Sequence, residues 1–232
     1  MLHFSLGNAK LRGVTAIFDL PAGHSCPFAC LCKSSANRVT GRITDGKDTQ
    51  FRCYAATGEA RSSAARKLRW KNFTELRGKT ASDMASLIAN CLPDTFKIRI
   101  HSSGDFFSQA YFDAWLMVAR QFPERTFYAY TKALPFWVNR LTVIPSNFKL
   151  VASYGGTHDI LIPSYGLKSC RVVASEAEAE SLGLEIDHDD THAWQDTGDF
   201  ALLIHGTQPA GTPMAKAWEL VKREGKGGYA RV

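Results

Sequence analysis

The sequence predicts an α/β fold, a partial (βα) barrel of about six parallel strands with a cysteine-rich loop after the first strand. Three observations lead there. Short runs rich in β-branched and aromatic residues alternate with stretches whose apolar residues recur at helical spacing, the pattern of right-handed βα units on a parallel sheet. Small, polar and charged residues gather just past the C-terminal ends of those runs, where ligands sit in such folds. The chain has 232 residues, 45% of them hydrophobic, enough to bury one core without disulfide staples. Residues 1–232 therefore read as a single (βα)-barrel-like domain, with a loop insertion at 33–52 and a flexible basic tail at 222–232.

The first strand, VTAIFDL at Val14–Leu20, stops at Pro21, and the cysteine cluster follows in the loop beyond it. The polar insertion Lys33–Arg52, with Gly41 and Asp45-Gly46, reads as a loop or small hairpin. A helical region runs from about Gly58 to Leu92 in two pieces broken near Gly78, with Thr80 or Ser82 capping the second. In the strand TFKIRIH at Thr95–His101, Phe96, Ile98 and Ile100 alternate with Lys97 and Arg99. Ser108 caps a helix to Gln121 whose Tyr111, Phe112, Trp115, Leu116, Ala119 and Phe122 share one core-facing stripe. Strands at Thr126–Thr131, Phe148–Ser153, Cys170–Ser175 and Phe200–His205 complete the alternation.

No stretch approaches the ~18 apolar residues of a membrane span, and no basic, apolar and small-residue series marks a secretory signal. The expectation is a soluble cytoplasmic protein. In a reducing compartment clustered cysteines bind metal more often than they form disulfides. Six cysteines are present, and Cys26, Cys30 and Cys32 fall within the seven residues CPFACLC. Thiols presented together on one loop suit soft metals, and Cys53 in FRCYAA offers a fourth. Structural zinc and an iron–sulfur cluster both fit four thiolates. Cys91 and Cys170, on an apolar helix face and at a strand start, read as core.

The net charge of +6 is uneven. Between Arg61 and Lys79 basic residues, among them Arg66, Lys67, Arg69 and Lys71, interleave with Trp70 and Phe73. Such a segment neutralises phosphates and stacks on bases, and a solvated amphipathic helix explains it equally. The acidic run Glu185–His192 reads as a polar surface loop.

The strand ends carry Ser103-Gly104-Asp105, then Tyr130-Thr131-Lys132, Ser153 and Ser175. A cysteine loop after the first strand, HSSGDFFS ending the second and YTK ending the third together resemble the core of radical S-adenosylmethionine enzymes. More closely, LPAGHSCPFAC, FRCYAA, IRIHSSGDFFSQAYFDAW, FYAYTKALPFW and DFALLIHGTQPAG resemble the phage family known as gene product 88. The radical-enzyme resemblance implies a [4Fe-4S] cluster on three loop cysteines and S-adenosyl-L-methionine on the open iron. Ser103, Gly104 and Asp105 match the motif that holds its ammonium group, with Tyr130, Thr131, Ser153 and Ser175 lining the pocket. Lys132 is the candidate for an anionic group. The usual Cys-x3-Cys-x2-Cys spacing is here Cys-x3-Cys-x1-Cys, so Cys53 stands as a possible replacement beyond the insertion. Two other functions account for the same features. One is a base-exchange transglycosylase with structural zinc and Asp19 or Asp105 as nucleophile. The other is a zinc-stapled nucleic-acid-binding protein.

Overall fold

The computed structural model describes residues 1–7, 11 and 15–224. Its elements begin with β1 (Phe4–Leu6), β2 (Thr15–Phe18), the pair β3 (Ser34–Ala36) and β4 (Ile43–Asp45), and three helices, α1 (Tyr54–Arg61), α2 (Ser63–Leu76) and α3 (Ala81–Ala89). Then come β5 (Lys97–Ile100), α4 (Gln109–Gln121), β6 (Thr126–Thr131), α5 (Leu134–Val138), a 3-10 turn (Leu141–Val143), β7 (Phe148–Ser153) and α6 (Leu161–Tyr165). The chain closes with β8 (Ser169–Val173), α7 (Glu176–Ser181), β9 (Glu185–Ile186), α8 (Thr191–Trp194), β10 (Phe200–Leu203) and α9 (Pro213–Arg223).

The main sheet has eight strands in the order β1-β2-β5-β6-β7-β8-β10-β9. Only β1 pairs antiparallel; every other ladder is parallel. The expected six strands are β2, β5, β6, β7, β8 and β10, side by side in chain order. The sheet is open and not closed into a barrel: β1 and β9 are its edges, and no pairing joins them among the described residues.

Winding in one direction with right-handed crossovers puts the helices on one face. Ile98, Ile100, Phe127, Ala129, Leu150 and Ala152 of that face pack with Met84 and Ile88 of α3 and with Tyr111, Phe112 and Trp115 of α4. Fully burying each Ile, Leu, Phe or Met side chain among them contributes roughly 1.5–3 kcal/mol. The period-2 alternation of strands sends Arg99, Tyr128, Tyr130, Val151 and Ser153 to the opposite face. There Ala193 and Trp194 of α8 pack on Tyr128, Val151, Cys170 and Phe200.

Local chemistry explains where the sequence reading holds and where it shifts. Ser108 accepts from Tyr111 N and starts α4, and Thr80 accepts from Asp83 N and starts α3. The helical region divides into three, because Ser62 ends α1 in extended backbone and caps α2 by accepting from Ala65 N. Phe96 lies outside β5 and is 63% exposed, while Arg99 is drawn inside by Asp190. The segment 185–192 is not a surface loop, since Asp187 and Asp190 are both buried. The insertion forms the antiparallel β3–β4 hairpin. Lys222 and Arg223 close α9, so the expected tail begins as helix; residues 225–232 lie outside the described residues.

Candidate functional site

The loop after β2 is bonded to the loop after β5 before it reaches its first cysteine. The Asp19 carboxylate accepts from Ser102 N (2.8 Å), Ser102 Oγ (2.8 Å), Ser103 N (2.9 Å) and Arg69 Nη2 (3.0 Å). Leu20 N donates to Ser103 O (2.9 Å), and Ser103 Oγ donates back to Leu20 O (2.8 Å). At Gly104, φ is +89°, and a Cβ would stand 2.6 Å from Leu20 Cβ and 2.6 Å from Ser25 Oγ. Only glycine fits there, so its role is to let the two loops touch. Glu59 of α1 ties in a third element: its Oε1 accepts from Ala22 N (2.8 Å) and from Ser103 Oγ (3.2 Å).

Cys53 arrives from the far side of the hairpin. Gln50 N and Phe51 N both donate to Leu31 O (2.8 and 3.2 Å), closing the insertion back on the first cysteine loop. Gln208, after β10, brackets the residue before Cys53 by accepting from Arg52 N (2.7 Å) and donating to Arg52 O (3.1 Å). Tyr54 donates to Ser102 O and meets the His205 ring at a tilt of 36° with ring centres 4.3 Å apart. Gly206 leaves room for it, since a Cβ would lie 2.8 Å from Tyr54 Cβ.

These contacts frame a cavity of about 160 Å³ at the C-terminal ends of the strands. Cys26, Cys32 and Cys53 line it, with Ser103, Gly104 and Asp105. Tyr130, Thr131, Lys132 and Ser153 complete the opposite wall. Cys30 is not among the lining residues; its amide donates to Gly155 O (3.1 Å) beside the Ala29–Gly156 bridge. Ser175 is also elsewhere: it is exposed and caps α7 by accepting from Glu178 N. Of the basic segment, Lys67 and Lys71 are exposed, but Arg66 and Arg69 are built into the fold. Arg66 donates to Arg38 O (3.1 Å), Val39 O (3.2 Å) and Glu59 O, and Arg69 pairs with Asp19 and Glu59.

Burial is the main electrostatic fact of the cavity. It pushes the Cys26 thiol up, aided by Asp105, Cys53 and Cys32. It raises Cys53 to about 11, aided by Cys32 and opposed by the Ala56 and Ala55 amides at the start of α1. Such thiols stay protonated until a cation arrives, and binding a metal would release their protons. Asp105 is raised by burial although its carboxylate accepts from Thr131 Oγ1 (2.6 Å), Phe106 N (2.7 Å) and Lys132 N (2.8 Å). Burial alone would depress Lys132, but Cys32, Cys170, Asp105 and Cys53 carry it above its ordinary value. Its ammonium donates to Ser153 Oγ (2.6 Å) and has no carboxylate partner among the described residues.

No three His, Cys, Asp or Glu side chains among the described residues are grouped as a metal-ion site. A single tetrahedral zinc at ~2.3 Å from each sulfur gathers its thiolates to within ~4 Å of one another. A cubane cluster binds each thiolate to a different iron and takes thiols spread around a cavity.

A model of the family described as gene product 88 matches residues 2–225. The chain belongs to that family. Two gene product 88 relatives are the gene 88 proteins of Mycobacterium phage D29 and Mycobacterium phage L5, 28% and 27% identical over 143 residues. Each alignment covers 56% of this chain and 53% of the relative, so the chain spans about half the length of the curated relatives it matches. No solved structure matches. Among the described residues no helix is long and apolar enough to cross a membrane.

The sequence reading gave no role to Glu59, Arg99 and Gln208, which help assemble this cavity, whereas it placed His101 and His205 among the strand-end residues a ligand would meet.

Proposed function

We propose that this protein is an iron–sulfur enzyme of the radical S-adenosylmethionine kind, acting on a nucleic-acid or nucleotide-derived substrate. One observation carries the reading: Cys26, Cys32 and Cys53 meet around one cavity with Ser103-Gly104-Asp105, although the hairpin separates them in sequence. In this reading those three thiols hold the cluster, and Cys30, off the cavity wall, does not. When bound, the cluster and S-adenosylmethionine supply one-electron reductive cleavage and hydrogen abstraction.

The chain's own residues position that chemistry. Both acceptor sites used on Asp105 Oδ1 go to Thr131 and Phe106 N, whereas Oδ2 accepts only from Lys132 N and keeps a lone pair for the cofactor's ammonium group. Lys132 is placed to take an anionic group. Lys67 and Lys71 of α2, with Arg38 and Arg42 of the hairpin, leave exposed positive charge for a phosphate backbone. For the transglycosylase alternative, the Asp19 oxygens are occupied by Ser102, Ser103 and Arg69, which leaves Asp105 as its candidate nucleophile.

Anaerobically purified protein given reductant and S-adenosylmethionine should release 5′-deoxyadenosine, and Asp105→Ala should cut that release at least tenfold. Iron-loaded protein that releases none under these conditions removes the radical step.

A further inference from the structure

Among the charged side chains lining the cavity is Arg99, which the sequence reading took as an ordinary strand residue. It comes from β5 and lines the same cavity as Lys132 from the end of β6. Its Nη1 pairs with Asp190 Oδ2 (2.5 Å), and its guanidinium lies over the Tyr130 ring (5.1 Å). Asp190 in turn accepts from Tyr128 Oη (3.1 Å) and Tyr130 Oη (3.2 Å).

Two structural arginines of this protein set the fork on a single carboxylate. Arg140 grips Asp113 through both Nε (2.8 Å) and Nη2 (2.8 Å), and Arg52 uses Nε and Nη2 on Asp45. Arg99 does not: Asp190 takes Nη1 alone, and Nε is buried without an acceptor. With Lys132, two cations thus face one cavity: Asp190 pairs with Arg99 and Asp105 lies near enough to raise Lys132, yet the Arg99 Nε is left buried with no acceptor. An oxyanion between the two strands would supply that acceptor and bridge both cations. The neighbouring wall has another character. Tyr54 and His205 present a pair of rings tilted at 36° with centres 4.3 Å apart, and Val172, Leu202 and Ile204 also line the cavity.

We propose that Arg99 and Lys132 form an oxyanion-holding end of the cavity, and that its ligand is a nucleoside monophosphate whose base lies on the Tyr54–His205 side. The proposal rests on the cavity being a ligand site but not on the cluster, so nucleotide binding and iron content can fail separately.

Calorimetric titration of the full-length protein as purified, with adenosine 5′-monophosphate and with adenosine, tests it. The monophosphate should bind at least tenfold more tightly than the nucleoside. Arg99→Lys, which keeps charge but loses the fork, should erase most of that difference and leave adenosine binding unchanged. Because a lone change at Arg99 strands Asp190, the paired variant Arg99→Gln with Asp190→Asn is measured beside it, with thermal melts to establish folding. Equal affinity for nucleotide and nucleoside in the wild type overturns the proposal. So does undiminished nucleotide binding in a folded variant.

Discussion

His101 shows how much of the site depends on single residues that hold no ligand. It ends β5 with φ of +71°, a conformation a histidine seldom adopts, and donates or accepts through Nε2 with Tyr111 Oη (3.0 Å). Burial depresses it from 6.5 to about 3, so it stays neutral in the fold. Below pH 6.5 the unfolded chain binds a proton at this position that the folded chain refuses, so stability rises with pH and is lost on acidification. The loss should develop between pH 6.5 and 3 and reach a few kcal/mol. His101→Asn accepts the left-handed backbone and removes the titration. Urea unfolding at pH 7 and at pH 4.5 should therefore show a markedly smaller difference in the variant than in the wild type. The cysteines were legible at this scale because three thiols in seven residues are conspicuous. Glu59 and Gln208 were not, because a polar residue in a helix or loop reads as surface until the tertiary structure buries it.

At the scale of elements, the hairpin decides which thiols meet. It turns a sequence break of twenty residues between Cys32 and Cys53 into adjacency, and Arg66 docks it on α2 by donating to Arg38 O and Val39 O. Arg66→Met should free the hairpin tip, seen as at least tenfold faster hydrogen exchange in 34–45 while α4 amides keep their protection. Unchanged exchange in 34–45 would show that the hairpin holds without it. The parallel strands and α4 were readable from period and caps, to within a residue or two. Three features were not: the edge strand β1, too short for a pattern; the break at Ser62, hidden in a helix-forming run; and 185–192. In the last, Asp187 and Asp190 look like surface residues until Tyr130 and Arg99 draw them inward.

For the whole molecule, an open sheet wound in one direction puts most helices on one face and leaves the other to α8 and the 185–190 segment, and the C-terminal strand ends enclose the cavity. The resemblance carried the idea of a cluster; the packing of loops from β2, β5 and β10 says which thiols are gathered. The central claim is a cluster on Cys26, Cys32 and Cys53. Iron, sulfide and zinc content of anaerobically purified wild type, Cys30→Ser and Cys53→Ser tests it most directly. The account predicts about four irons per chain in the wild type and in Cys30→Ser, and their loss in Cys53→Ser. One stoichiometric zinc in place of iron, or iron lost in Cys30→Ser and retained in Cys53→Ser, would contradict it.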